Sequence, residues 1–394
     1  MRKFLAAGRL TREGKLAEAT MAIQRALTSG ARAGAHITAP WGVGTRAGRT
    51  PSPTALDGLV RESARAERRP DGGPAVVDEV STPGRFLDSS FTGAAGTRTF
   101  KLFSPSGFEG EMLPLVVMLH GCTQDPDDFA AGTRMNELAQ DEGAFVLYPA
   151  QAARSNSHRC WNWFSPADQR RGAGEPALLA GMVRHVLQTH PIDPDRVYVA
   201  GLSAGGAMAA ILASEYPDVF AAAGIHSGIP TGAAHDVASA FSVMKSGPAA
   251  TPSWPGAATR WPLPPGAAPT VAPRAGTKRP ASAPVIVFHG DADATVTAAN
   301  GDAVIAAALG GAADAVAESV DESPAVGTRR VRRTVWRGAH ASADAPTLAE
   351  QWLVSGAPHA WSGGAPAGSY TDPQGPDASR EMLRFFLAHP RRRA

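Results

Sequence analysis

A chain of 394 residues with 43% hydrophobic side chains is long enough for a large core and for one or two domains. Its 38 Lys and Arg nearly balance 36 Asp and Glu, so net charge points to no polyanionic partner and no nucleic acid is expected. Two cysteines, Cys122 and Cys160, exclude a disulfide framework and offer no Cys/His metal spacing, though a single bridge between them stays open; no apolar run reaches the length of an integral membrane segment.

The N-terminus opens with positive charge, but Arg9, Arg12, Glu13 and Lys15 arrive before any apolar stretch develops, so no secretory signal is evident. Residues 10–27 place Leu16, Ala19, Ile23 and Leu27 on one face of an amphipathic helix, with no second copy at a fixed period. Residues 1–69 carry 13 Lys and Arg against 5 Asp and Glu, which reads as a solvated basic arm; docking on an anionic surface is the rival reading. From 28 to 85 the chain is Gly, Ala, Pro and Arg with few large apolar residues, too few to offset the entropy of ordering, and it reads as a linker. The expected organisation is therefore an extension over 1–85 and one domain over 86–394.

Within that domain, residues 98–103 alternate as a half-buried strand and residues 115–119 are apolar throughout, the mark of a strand covered on both faces. A helix is expected over 135–141, a strand over 144–148, a helix over 175–189, and a strand over 197–199 that runs into an Ala-rich helix stopping near Pro217. Further strands are expected at 285–288, 331–336 and 351–354. A last helix begins at Pro376 and Asp377, with Asp377 as its N-cap. Alternating strands and helices imply an α/β fold with a mostly parallel, doubly covered sheet. Residues 247–283, rich in Pro, Ala and Gly, read as a surface insertion, with a lid over the site as the alternative.

The chemistry centres on Gly201-Leu202-Ser203-Ala204-Gly205, set between the 197–199 strand and the following helix. Such a strand–turn–helix forces the central Ser into strained geometry and lifts its hydroxyl clear of the sheet, which requires small neighbours. A Ser hydroxyl needs a base to accept its proton and an acid to orient the base. In this architecture they follow in the order acid, then His, after later strands. The 285–288 strand runs into a turn with Asp291 and Asp293. Asp293 lies beyond the turn and is the expected acid, whereas Asp291 directly follows Gly290 and caps it. His359, after the 351–354 strand, is the expected base; His340, in a polar loop, is the weaker candidate. The oxyanion that forms needs two N–H donors. Ala204 supplies one, and Cys122, after Gly121 in the loop that follows the 115–119 strand, the other.

These residues sit in a series of motifs: His120-Gly121-Cys122-Thr123-Gln124, Tyr148 to Gln151, Cys160-Trp161-Asn162-Trp163-Phe164, Gly201 to Gly206, His226-Ser227-Gly228, His289 to Asp293 and His359 to Gly364. Together, over about 85 to 390, the series resembles the polyhydroxybutyrate-depolymerase family of esterases within the α/β-hydrolase superfamily. The resemblance implies Ser203 as nucleophile, Asp293 as acid, His359 as base and the Cys122 loop at the oxyanion hole, in agreement with the residue-level reading. It also implies a cofactor-free carboxylic ester hydrolase whose substrate is a small or oligomeric ester: a hydroxyalkanoate oligomer or another short-acyl or aryl ester, with feruloyl and acetylxylan esters as alternatives. Many relatives are secreted. His120 and His226 are expected to line the site, each readable equally as a buried hydrogen-bonded histidine, and Trp161, Trp163 and Trp361 to form an aromatic substrate rim, with core packing as the rival for Trp163 and Trp361. The remaining rivals are a peptidase or lactonase on the same scaffold and a binding protein without turnover.

Overall fold

Apolar runs bounded by turn residues become the strands of a single ten-stranded sheet in the computed structural model, which describes residues 84–248, 283–310, 315–322, 329–338 and 347–391. The elements are β1 (Arg85–Gly93), β2 (Gly96–Ser104), β3 (Leu113–Leu119), α1 (Pro126–Thr133), α2 (Met135–Glu142), β4 (Phe145–Pro149), α3 (Gly174–Thr189), β5 (Ile192–Leu202), α4 (Ala204–Glu215) and β6 (Ala222–His226). They continue with α5 (Val237–Ser246), β7 (Val285–Gly290), α6 (Ala299–Leu309), β8 (Val316–Glu322), β9 (Val331–Arg337), β10 (Thr347–Val354), the short pair β11 (Trp361–Ser362) and β12 (Thr371–Asp372), and α7 (Ala378–Leu387). The helix expected over 10–27, nearly all of the 28–85 linker, His340 and residues 249–282 of the insertion lie outside the described residues.

The sheet runs β1-β2-β4-β3-β5-β6-β7-β10-β9-β8. From β4 to β10 every neighbour is parallel; the β1–β2 hairpin and the β9–β8 hairpin add antiparallel margins. The centre of the sheet is covered on both faces, which explains why β3 is buried at all seven positions. Strand periodicity divides that burial: Leu115, Val117 and Leu119 face one apolar cluster with α3 and α4, while Val116 and Met118 face another with α2 and α7.

Local chemistry ends the helices where the sequence indicates. The Asp377 carboxylate accepts the Arg380 N–H at 3.0 Å and caps α7, as expected. Asp236 and Ser239 form a reciprocal capping box that starts α5. Because the parallel strands all point the same way, the loops that follow β3, β5, β6, β7 and β10 gather along one edge of the sheet.

Candidate active site

At that edge β5 passes into α4 through Ser203, whose backbone has φ 58° and ψ −116°, a conformation that a side-chain-bearing residue holds only under constraint. The constraint is steric and hydrogen-bonded. A Cβ on Gly205 would lie 2.0 Å from the Leu119 carbonyl oxygen, so α4 can press against the end of β3 only with glycine there. The Ser203 N–H donates to the His226 carbonyl at 2.9 Å, tying the turn to β6.

Asp293 and His359 come together because β7 and β10 are parallel neighbours, with Gly290 opposite Val354 at their ends. His359 Nδ1 lies 2.6 Å from Asp293 Oδ2. The other carboxylate oxygen accepts the Thr295 and Val296 N–H groups, each at 2.8 Å, so the carboxylate cannot turn. Burial raises the Asp293 pKa, but the His359 hydrogen bond and charge, with the Val296 amide, outweigh it and hold the carboxyl below its usual value. Its Oδ1/Oδ2 pair is sealed from solvent, whereas the His359 side chain keeps 12% exposure towards the cavity. Asp291, expected to cap the turn after Gly290, instead accepts the Gly356 N–H at 2.6 Å and braces the two loops against each other.

Ser203, Ala204, His359, Gly121 and Cys122 all line one cavity of about 310 Å³. Ala204 is the first residue of α4, so its N–H has no intrahelical acceptor and sits at the positive end of the helix dipole. In the 121–124 turn the Gly121 amide is taken by Gln124 Oε1 at 2.9 Å, Thr123 by the His158 carbonyl at 2.6 Å and Gln124 by the Gly121 carbonyl at 3.4 Å. Among the described residues, the Cys122 N–H is thus the amide of this turn without an acceptor. Cys122 and Cys160 are joined as a disulfide that fastens this turn to the 151–164 loop.

The expected substrate contacts divide. Trp163 lines the cavity. His120, Trp161, His226 and Trp361 do not: each is about 2% exposed or less, and their expectation as substrate contacts is corrected to one of structural support. His120 lies under the Cys122 turn, with Nδ1 2.8 Å from the Gly121 carbonyl and Nε2 accepting the Gln151 N–H at 3.1 Å. The Trp161 indole N–H donates to the His120 carbonyl at 3.1 Å. His226 stacks on Trp361 and accepts the Ser362 N–H at 2.9 Å, which joins the nucleophile turn to the His359 loop. Burial pushes the imidazoles down, His120 to about 4 and His226 to about 3, so both are neutral struts at pH 7. Trp361 donates its indole N–H to Ser379 Oγ at 3.0 Å and packs edge-on against Phe129.

Several contributors escaped the sequence reading. Ile229, Phe241 and Met244 complete the apolar wall, the last two from α5. Gln124 latches the turn through Nε2 to Asp128 Oδ2 at 2.9 Å and to the Ser369 carbonyl at 3.0 Å. Glu175, buried at the start of α3, accepts from Asn162 N at 2.7 Å, Asn162 Nδ2 at 3.0 Å and Gln151 Nε2, and pairs with Arg98 at 3.5 Å. Burial, helped by the nearby Asp168 carboxylate, pushes Glu175 up to about 7 against the pull of those donors. Gln124 falls inside a quoted motif; nothing in sequence marks Glu175.

A family model described as esterase PHB depolymerase matches residues 98–322. Poly(3-hydroxyalkanoate) depolymerase C of Paucimonas lemoignei is 44% identical over 149 residues, 38% of this chain and 36% of that protein. Feruloyl esterase B of Thermothelomyces thermophilus is 38% identical over 128 residues, 32% of this chain and 43% of that one. The matches thus span less than half the length of either curated relative. Among solved structures, an acetyl xylan esterase from Aspergillus awamori superposes with TM-score 0.54 at 18% identity, over 77% of this chain and 99% of that one, a likeness of α/β-hydrolase fold.

Proposed function

We propose, from the premise that this chain belongs to the esterase PHB depolymerase family, that it is a serine-dependent carboxylic ester hydrolase using Ser203, His359 and Asp293. The observation that carries the reading is the 2.6 Å contact from His359 Nδ1 to Asp293 Oδ2 at a cavity shared with Ser203. Asp293 holds the Nδ1–H tautomer, which leaves the Nε2 lone pair to take the Ser203 proton as Oγ attacks the ester carbonyl. The oxyanion then meets the N–H groups of Cys122 and Ala204. His359 returns the proton to the departing alcohol, and water activated at the same nitrogen hydrolyses the acyl-Ser203.

Substrate size follows from the cavity. About 310 Å³ lies at the small end of ligand sites, and its apolar wall of Trp163, Ile229, Phe241 and Met244 favours a short acyl chain. Hydroxyalkanoate oligomers and acetyl esters fit that reading, and relatives bear depolymerase, feruloyl esterase and acetylxylan esterase names. A peptidase or lactonase on the same scaffold is the second reading. The test is fluorophosphonate labelling of Ser203 with hydrolysis of a short-chain chromogenic ester, both in the wild type and in Ser203→Ala. Loss of label and a fall in kcat on the order of 10⁶ is expected; near-normal turnover by the variant removes Ser203 from the mechanism.

A further inference from the structure

Two strained residues meet at the mouth of the cavity. Thr123 has φ 70° and Tyr370 φ 52°, left-handed values that a β-branched and an aromatic residue rarely adopt. The surroundings hold both in place: the Thr123 N–H donates to the His158 carbonyl at 2.6 Å, and the Trp361 N–H donates to the Tyr370 carbonyl at 2.7 Å. The result is a pair of hydroxyls 3.2 Å apart, Thr123 Oγ1 and Tyr370 Oη, that spans from the Cys122 turn to the His359 loop. Both residues line the cavity, and Tyr370 is 48% exposed.

Hydrogen accounting gives the pair a polarity. Thr123 Oγ1 is 2.5 Å from the Cys122 carbonyl, which can only accept, so the single Thr proton is committed there. Thr123 Oγ1 therefore accepts from Tyr370, and the Tyr370 proton is committed too. What Tyr370 Oη presents to the cavity is a lone pair. Its side of the cavity is set by the pairing of β11 with β12, which places Tyr370 beside the loop that carries His359. In the reaction proposed above His359 hands a proton to the leaving alcohol, and the short acyl chain is the part read there against the apolar wall that includes Ile229, Phe241 and Met244 of the same cavity.

We infer that Tyr370 Oη, set by Thr123, is an acceptor subsite for a free hydroxyl on the alcohol part of the ester, so the site selects polyol or sugar esters over esters of alcohols that carry only carbonyls. This rests on the esterase reading above and deepens it.

Three acetates with the same acyl group separate the cases: the mono-acetate of a butanediol, which has a free hydroxyl; the acetate of methyl hydroxybutyrate, which has a carbonyl; and the acetate of a secondary pentanol, which has neither. Each is assayed for kcat and KM with wild type, Tyr370→Phe and Thr123→Val. The wild type should prefer the hydroxyl-bearing acetate. In Tyr370→Phe the ratio of its kcat/KM to that of the pentanol acetate should fall about threefold to tenfold, as for one neutral hydrogen bond. The loss should appear in KM, since the contact is made in ground and transition states alike. Thr123→Val frees the Tyr370 proton and should raise the carbonyl-bearing acetate relative to the hydroxyl-bearing one. Ratios within twofold of wild type in Tyr370→Phe, or a selective loss on the carbonyl-bearing acetate, overturn the subsite. A wild type that hydrolyses none of the three and leaves Ser203 unlabelled refutes the esterase reading itself, and the subsite with it.

Discussion

Replacing Asp293 with Asn tests the charge and the tautomer together. Two backbone amides at 2.8 Å bind one carboxylate oxygen, and only an oxygen can accept both. The Asn carbonyl must therefore occupy that place, which directs its NH₂ at His359 Nδ1, 2.6 Å away in the native contact. His359 then accepts at Nδ1 and carries its proton on Nε2, so it offers Ser203 a donor where a base is needed. The imidazolium formed during reaction also loses its counter-charge. At a separation of about 4 Å and an effective dielectric near 20, that interaction is about 4 kcal/mol. Tautomer and charge together point to a kcat reduction of about 10⁴, or about 5.5 kcal/mol, the scale found for the equivalent change in another Ser-His-Asp enzyme. The assay is steady-state hydrolysis of a chromogenic short-chain ester, with the rate of fluorophosphonate labelling as an independent readout. A variant that retains more than a tenth of both rates refutes the argument that Asp293 sets the His359 tautomer. The same substitution reports on stability. Because the folded pKa of Asp293 is depressed, its carboxylate stabilises the fold above the unfolded value of about 3.9 and loses that contribution as pH falls through the folded value. The gap in stability between wild type and variant should therefore narrow in acid.

Three further outcomes follow from the same structure. Glu175, with a folded pKa of about 7 against 4.5 for the free group, contributes most below pH 4.5 and progressively less as pH rises to 7, a difference on the order of 3 kcal/mol; denaturant titrations of Glu175→Gln should show that slope flattened. Gly205→Ala puts a methyl 2.0 Å from the Leu119 carbonyl oxygen, so its melting temperature should fall by about 5 °C or more with loss of ester hydrolysis; an unchanged melting curve contradicts the packing described. Opening the Cys122–Cys160 bridge, which closes a loop of 38 residues, should cost about 4 kcal/mol by loop entropy, and a Cys122→Ser, Cys160→Ser variant with wild-type midpoint in urea refutes that.

The catalytic candidates were legible because each follows a strong local signal: an apolar strand, then a glycine turn, then the reactive side chain. β7 and Gly290 announce Asp293, and β10 announces His359. Strand β6 carried no such signal, since Ala222-Ala223-Gly224 has neither bulk nor β-branching and becomes a strand only because its neighbours β5 and β7 pair with it. β1 was missed for the opposite reason: at the sheet margin it is mostly exposed, so alternation is absent. Four of the five substrate expectations, all but Trp163, failed on burial. His226 reads as a polar residue beside a motif, yet Phe288 and Trp361, far along the chain, stack against it at 5.9 and 5.1 Å. Burial of a histidine is decided by such distant partners, whereas a strand or a turn is decided within a few residues.

The pairing of β7 with β10 has a consequence for how this chain tolerates insertions and deletions. Ala349 lies opposite Val285 and Val354 opposite Gly290, so the acid and base loops leave the sheet at the same height. Adding or deleting one residue inside either strand would displace its loop by about 3.3 Å along the sheet, more than a 2.6 Å hydrogen bond can absorb, and would also turn alternate side chains onto the opposite face. Length change is thus forbidden within the two strands. Turns remote from the site, such as the β1–β2 hairpin, carry no such constraint, so a library that varies loop length there should retain ester hydrolysis far more often than one that varies 285–293, 347–359, the 119–124 turn or the 201–206 turn.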